Sequence, residues 1–236
     1  MASSPPPSWT AEIGQRMRRH FVLKFIGTSI CCCVFFIGYF QVLRNPAYAV
    51  TVMPLTALDH WIPFQPWTLV AYLSLWVYVG MAPGLQWTLR EVVVYALWMI
   101  ALCLTGLGLF YAWPTQVPAL VQHHSDFPGF ALLRGVDAPQ NACPSLHVAT
   151  AMFTAIRASD VLRRARTPMA LRLFNIVWFL AIAWSTLAIG QHVVMDVLAG
   201  ALLGSVFAWM SLRWRPDPAA EMRRVAPRIA PRAAAI

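Results

Sequence analysis

Charge is scarce in this chain: only 11% of its 236 residues are Asp, Glu, Lys or Arg, while 59% are hydrophobic. An ordinary soluble domain is roughly 45 to 50% apolar, so a water-soluble globule of this composition would have too little polar surface to cover itself. A formal charge of +9 raises the question of nucleic acid, but no basic stripe interleaved with exposed aromatics stands apart from the loop ends, which argues against that partner. The cysteines give no disulfide framework, because Cys31, Cys32, Cys33 and Cys103 lie inside apolar runs and Cys143 stands alone. No small-residue cleavage site accompanies the first apolar run, which is too long for a signal-peptide core and is expected to stay as an anchor. There is no internal repeat, and the histidines lack a metal-ligand spacing such as His-Glu-x-x-His.

Long apolar sequence is what the chain has in abundance. Runs extend over Phe21 to Leu43, Trp67 to Met81, Val92 to Ala112, His147 to Leu162, Leu171 to Gly190 and Val193 to Leu212. Most approach the roughly 20 residues that a helix needs to cross about 30 Å of hydrocarbon, and the shorter ones can borrow turns from their flanks. The expectation is an all-α polytopic membrane protein with both termini cytoplasmic. One bundle of six transmembrane helices would occupy 21–212, after a cytoplasmic segment over 1–20 and before a basic cytoplasmic tail over 213–236. With the N-terminus inside, Arg16, Arg18, Arg19, Lys24, Arg90, Arg157, Arg163, Arg164, Arg166, Arg172 and the tail all fall on the cytoplasmic side. Only Arg44 and Arg134 are left outside, as the positive-inside rule requires. Anionic lipid headgroups are a sufficient partner for this charge. The Ala-, Pro- and Arg-rich tail reads as a mobile extension, and the composition points to a bacterial inner membrane.

Two connections fall on the outer, periplasmic side in this topology. Asn45 to Pro66 holds Pro46, Pro54, Pro63 and Pro66 and cannot be one regular helix; its Asp59 and His60 read as solvated or headgroup-facing rather than catalytic. Trp113 to Cys143 is the longest polar connection and carries His123, His124, Asp126, Arg134 and Asp137. Loops beyond about 12 to 15 residues are usually functional or disordered, and prolines 114, 118, 128 and 139 argue for an ordered, irregular path over the helix ends. On the inner side Gly84 to Glu91 reads as a short loop, with Val92 opening the third span.

The chemistry sits at the mouths of two spans. His192 and Asp196 are four apart, hence on one helix face. A carboxylate costs about 2.5 to 3.5 kcal/mol at the bilayer centre and somewhat less near the interface, so Asp196 needs a partner, and His192 is the nearest. An Asp that accepts a hydrogen bond from one imidazole nitrogen fixes the tautomer and leaves the other nitrogen free as a nucleophile. His147 opens the fourth run at the same membrane face, just after Pro144 and beside Ser145, a suitable N-cap. Helix N-termini attract anions, so a phosphate held there would meet His192 as in-line nucleophile and His147 as general acid. The plainer alternative for His192 and Asp196 is a polar pair that only joins helices.

Pro144-Ser145-Leu146-His147, and Ser185-Thr186 followed by His192 and Asp196, resemble two motifs of the type 2 phosphatidic acid phosphatase and haloperoxidase superfamily. Those motifs are Pro-Ser-Gly-His and Ser-Arg, five residues, His, three residues, Asp. The resemblance covers about Tyr111 to Gly204 and implies a six-helix membrane enzyme acting on a lipid phosphate without metal or other cofactor. It implies His192 as the phosphohistidine, Asp196 as its orienting partner, His147 as the leaving-group acid and Ser145 as a phosphate ligand. Leu146 stands for Gly, Thr186 for Arg, and no first motif with its Lys and Arg is found. Phosphoryl transfer relies on electrostatic stabilisation of three equatorial oxygens, so another cation is required. Arg134, on the loop leading into Ser145, is the first choice, followed by His123 and His124; a headgroup or loop contact is the plainer role for each. The missing cations, Pro114-Thr115 with Pro118, Asp137 to Ala142, and Pro54 to Pro66 around Asp59 resemble the branch typified by inositol phosphorylceramide synthase, which moves a phosphorylated headgroup to another acceptor. Two further readings stay open: a catalytically silent, lipid-binding protein of the same fold, and a metal-dependent enzyme built on His123, His124 and His147.

Overall fold

The computed structural model describes residues 8–122, 129–130 and 140–216; His123, His124, Arg134 and the tail beyond 216 lie outside them. The described chain is mostly helical. Helix α1 (Trp9–Arg18) is capped by Ser8, whose Oγ accepts from the Ala11 N–H, and α2 (Phe21–Arg44) follows at once. The second apolar run is a broken helix: a 3-10 turn (Pro66–Thr68), α3 (Leu69–Leu73), α4 (Leu75–Met81) and a closing 3-10 turn (Ala82–Leu85). The break falls at Ser74, whose hydroxyl donates to the Ala71 carbonyl and accepts from Trp178 Nε1 at 2.8 Å.

Helix α5 (Leu89–Ala112) begins three residues before the expected Val92. Thr88 Oγ1 accepts from the Glu91 N–H at 3.1 Å while the Glu91 carboxylate accepts from the Thr88 N–H at 3.3 Å. This capping box satisfies otherwise orphaned donors and draws Glu91 out of the loop into the first turn. Helices α6 (Leu146–Arg164), α7 (Met169–Ala188) and α8 (Val194–Arg213) complete the bundle.

Five described stretches are long and apolar enough to cross a membrane: Phe21–Arg44, Pro66–Leu85, Leu89–Ala112, Met169–Ala188 and Val194–Arg213. Their outward residues, such as Phe25, Val34, Val70, Leu202 and Trp209, form an exposed apolar surface that only a lipid or protein partner can cover. Helix α6 is not among the five. Twelve of its 19 residues are buried, because the other helices wrap it, and a wrapped helix does not have to be apolar all round. Some of its polar groups find protein partners: Arg157 donates to Gln86 Oε1 at 3.1 Å, and Arg164 and Arg215 both pair with Asp160.

Helices α6 and α8 pack backbone to backbone. A Cβ at Gly200 would collide with the Ser145 carbonyl oxygen, and one at Gly204 with the Ala149 carbonyl oxygen and the Met152 side chain. Small residues four apart allow this close approach between membrane helices. Over the same end of the bundle, β1 (Thr51–Val52) and β2 (Thr115–Gln116) pair in parallel with Thr51 opposite Thr115, and Thr115 Oγ1 accepts from the Cys143 N–H at 2.8 Å. The connections before α3 and after α5 are thereby tied to the segment that leads into α6.

Candidate active site

Ser145 is the N-cap of α6; its Oγ accepts from the Val148 N–H at 3.3 Å and it is fully buried. Its own N–H donates to the Asp196 carbonyl at 3.0 Å, which joins the start of α6 to the first turn of α8. His147, the second residue of α6, therefore stands beside α8. On the other side, the chain reverses between α7 and α8 through Gly190, at φ 73°, a left-handed conformation that favours glycine. The Gln191 and His192 N–H groups then both donate to the Thr186 carbonyl, at 3.0 and 3.1 Å. The Thr186 hydroxyl donates back to Ala183 within its own helix. Thr186 thus fixes the backbone of His192 and supplies no positive charge.

These constraints bring the two imidazoles together. His147 Nδ1 lies 3.3 Å from His192 Nε2, with ring centroids 5.5 Å apart. Behind His192, its Nδ1 faces Asp196 Oδ2 at 3.5 Å, and that same oxygen accepts from the Val193 N–H at 3.0 Å. The contact is not a closed hydrogen bond, but a carboxylate, which can only accept when ionised, favours beside it the tautomer with the proton on His192 Nδ1 and the lone pair on Nε2. The Nε2 lone pair then faces His147.

Two neighbours of this pair are absent from the motifs. Tyr72, on α3, places its hydroxyl 2.8 Å from His147 Nε2. Asp59 Oδ1 accepts from the Val194 N–H at 2.8 Å and its Oδ2 accepts from both the N–H and the hydroxyl of Thr56. Instead of facing solvent or headgroups alone, Asp59 ties the Asn45 to Pro66 connection to the start of α8. With Ile62, Phe64, Val121, Leu187, Ala188 and His192 it lines a pocket. Among the described residues no Lys or Arg lines it. Cys143 is a poor competitor for the nucleophile's role: burial, reinforced by the Asp196 charge, pushes its thiol up to about 11, so it stays protonated at neutral pH.

Neither a curated protein nor a solved structure matches the chain. Residues 111–219, the stretch that contains Ser145, His147, His192 and Asp196, match the family model of the PAP2 superfamily.

Proposed function

We propose that the chain is a membrane enzyme of the PAP2 superfamily that takes a phosphoryl group from a lipid phosphate onto His192 and passes it to water or to a hydroxylated acceptor. The observation that carries this reading is the 3.3 Å approach of His147 Nδ1 to His192 Nε2 inside the stretch that matches the family. The His192 Nε2 lone pair attacks phosphorus, the bond to the leaving oxygen breaks, and that oxygen takes the Nδ1 proton of a protonated His147. In the second half the acceptor hydroxyl gives its proton back to His147 and attacks phosphorus, and the P–N bond breaks. Reacting atoms need about 3 to 3.5 Å on each side of the phosphorus, so the rings must part to admit it.

In this reading α6 is the sixth span, both termini are cytoplasmic and the site opens on the outer side; the distribution of basic residues supports that orientation. Ser145 offers its hydroxyl proton to the phosphate. Arg134 supplies the principal charge, with His123 and His124 behind it. Arg134→Ala should lower turnover of phosphatidic acid by about 10² or more, the cost of one oxyanion donor, while Arg44→Ala changes it less than about threefold. Equal small effects would remove Arg134 from the site.

The resemblance to the inositol phosphorylceramide synthase branch favours transfer over hydrolysis. The purified protein, given phosphatidic acid labelled in its phosphate, should release labelled phosphate when no polyol is present and form a labelled polyol phosphate when one is added. Lipid binding with neither product would instead support a silent lipid-binding protein, the reading favoured by the lack of Lys and Arg among the described residues around the pocket.

A further inference from the structure

Building on the roles of His192 and His147 just given, we propose that Tyr72 is a positioning residue that holds His147 in line with His192 and stabilises its protonated form. The Tyr72 hydroxyl lies 2.8 Å from His147 Nε2 and the two rings stack at a tilt, 4.9 Å between centroids. Tyr72 is 2% exposed and packed with Leu69, Phe130 and Ile189, so the hydroxyl is delivered from a fixed ring. The chain of contacts from Asp196 through His192 and His147 to Tyr72 also has a direction. Asp196 places the proton on His192 Nδ1, so His192 Nε2 can only accept. His147 Nδ1 must then donate, and a neutral His147 is left with a lone pair on Nε2, toward which the Tyr72 O–H points.

When His147 is protonated both of its nitrogens donate, and the Tyr72 oxygen, which has lone pairs as well as a proton, turns to accept from Nε2. A hydroxyl suits both states; no carboxylate or ammonium group would. Among the described residues, the titratable groups at His147 include Tyr72 from α3 and His192 from the turn before α8, with Asp196 behind His192. The Tyr72 hydroxyl contacts Nε2. Without its oxygen the protonated imidazole loses an acceptor in a half-buried place, so the acid form is lost at lower pH.

The test compares wild type, Tyr72→Phe, His147→Ala, the double variant and His192→Ala on phosphatidic acid and on p-nitrophenyl phosphate, with a thermal melt on each. Tyr72→Phe keeps the ring and should melt as wild type does. On phosphatidic acid its kcat should fall by about 10 to 100-fold, part of the 10² to 10⁴ typical of general acid catalysis, with KM changed less than about threefold. The alkaline limb of its pH profile should move to lower pH. Its loss on p-nitrophenyl phosphate, whose leaving group departs without protonation, should be at least about tenfold smaller. The double variant should be no slower than His147→Ala, because the two residues act as one unit. An unshifted pH profile, equal loss on both substrates or additive losses would overturn the role of Tyr72 while leaving His192 in place. If His192→Ala turned over phosphatidic acid as wild type does, the underlying function would fall instead.

Discussion

His192→Ala is expected to reduce turnover of phosphatidic acid by at least about 10⁴-fold, a barrier increase near 5.5 kcal/mol, and to abolish a trapped phosphoenzyme. Removing a covalent nucleophile costs far more than removing a binding group, because the reaction loses its route and only residual electrostatic and binding effects remain. His147→Ala should behave differently. It leaves the nucleophile intact, so turnover falls by about 10² to 10⁴ while a phosphoenzyme still forms from a substrate with a good leaving group. The check is a rapid quench in alkaline detergent after mixing with labelled substrate, followed by separate alkaline and acid treatments, since a phosphohistidine survives base and is lost in acid. A His192→Ala protein that still carries label would remove His192 from the centre of the chemistry.

The second large effect is expected far from any reacting atom. Gly200→Leu should eliminate activity and lower the melting temperature, because its side chain would stand where the Ser145 carbonyl oxygen now lies. Even Gly200→Ala should cost about 1 to 3 kcal/mol, the range for inserting carbon into a packed interior. The loss of activity should exceed what the stability change explains. The Ser145 backbone that would be displaced is bonded to Asp196 and immediately precedes the turn that carries His147, so the separation of the two imidazoles changes with it. Gly27→Ala and Gly108→Ala are the controls, since a Cβ at either position meets nothing within 4 Å; both should leave the melting temperature and turnover near wild type. Equal behaviour of Gly200→Ala and Gly108→Ala would show that the α6 to α8 seam does not set the site.

What could be read in the sequence was local. The capping position of Ser145 is a property of a single helical turn and appears in the structure, whereas His192, expected on one helix face with Asp196, lies in the turn before α8 and meets Asp196 at 3.5 Å across the N-cap. Whether the residues act as proposed is for the variants to decide. The starting point of α5 was missed because hydropathy outweighs a Thr88–Glu91 capping box that is visible in the residues themselves. The partnerships of Tyr72 and Asp59 were beyond reach for a different reason. An aromatic in an apolar run reads as packing, and nothing around Asp59 announces a backbone donor 135 positions away. Helix α6 resembled any other span because a hydropathy window cannot distinguish lipid from protein as the surrounding medium. The convergence of the two histidines rests on Gly200 and Gly204, which a pattern of apolar and polar residues records only as small. Arg134, His123 and His124 lie outside the described residues, so their part in the site stands on the sequence alone.

Only Arg163 of α6 is exposed, and this bears on how the protein would sense its surroundings. The tilt of a lipid-facing helix adjusts to the thickness of the bilayer, at fractions of a kcal/mol per Å of mismatch. A helix sheathed by its own neighbours is insulated from that adjustment. Ser145 and His147, which α6 carries, would accordingly keep their places across membranes of differing acyl length, while Tyr72 and Asp196 ride on stretches with lipid-facing residues.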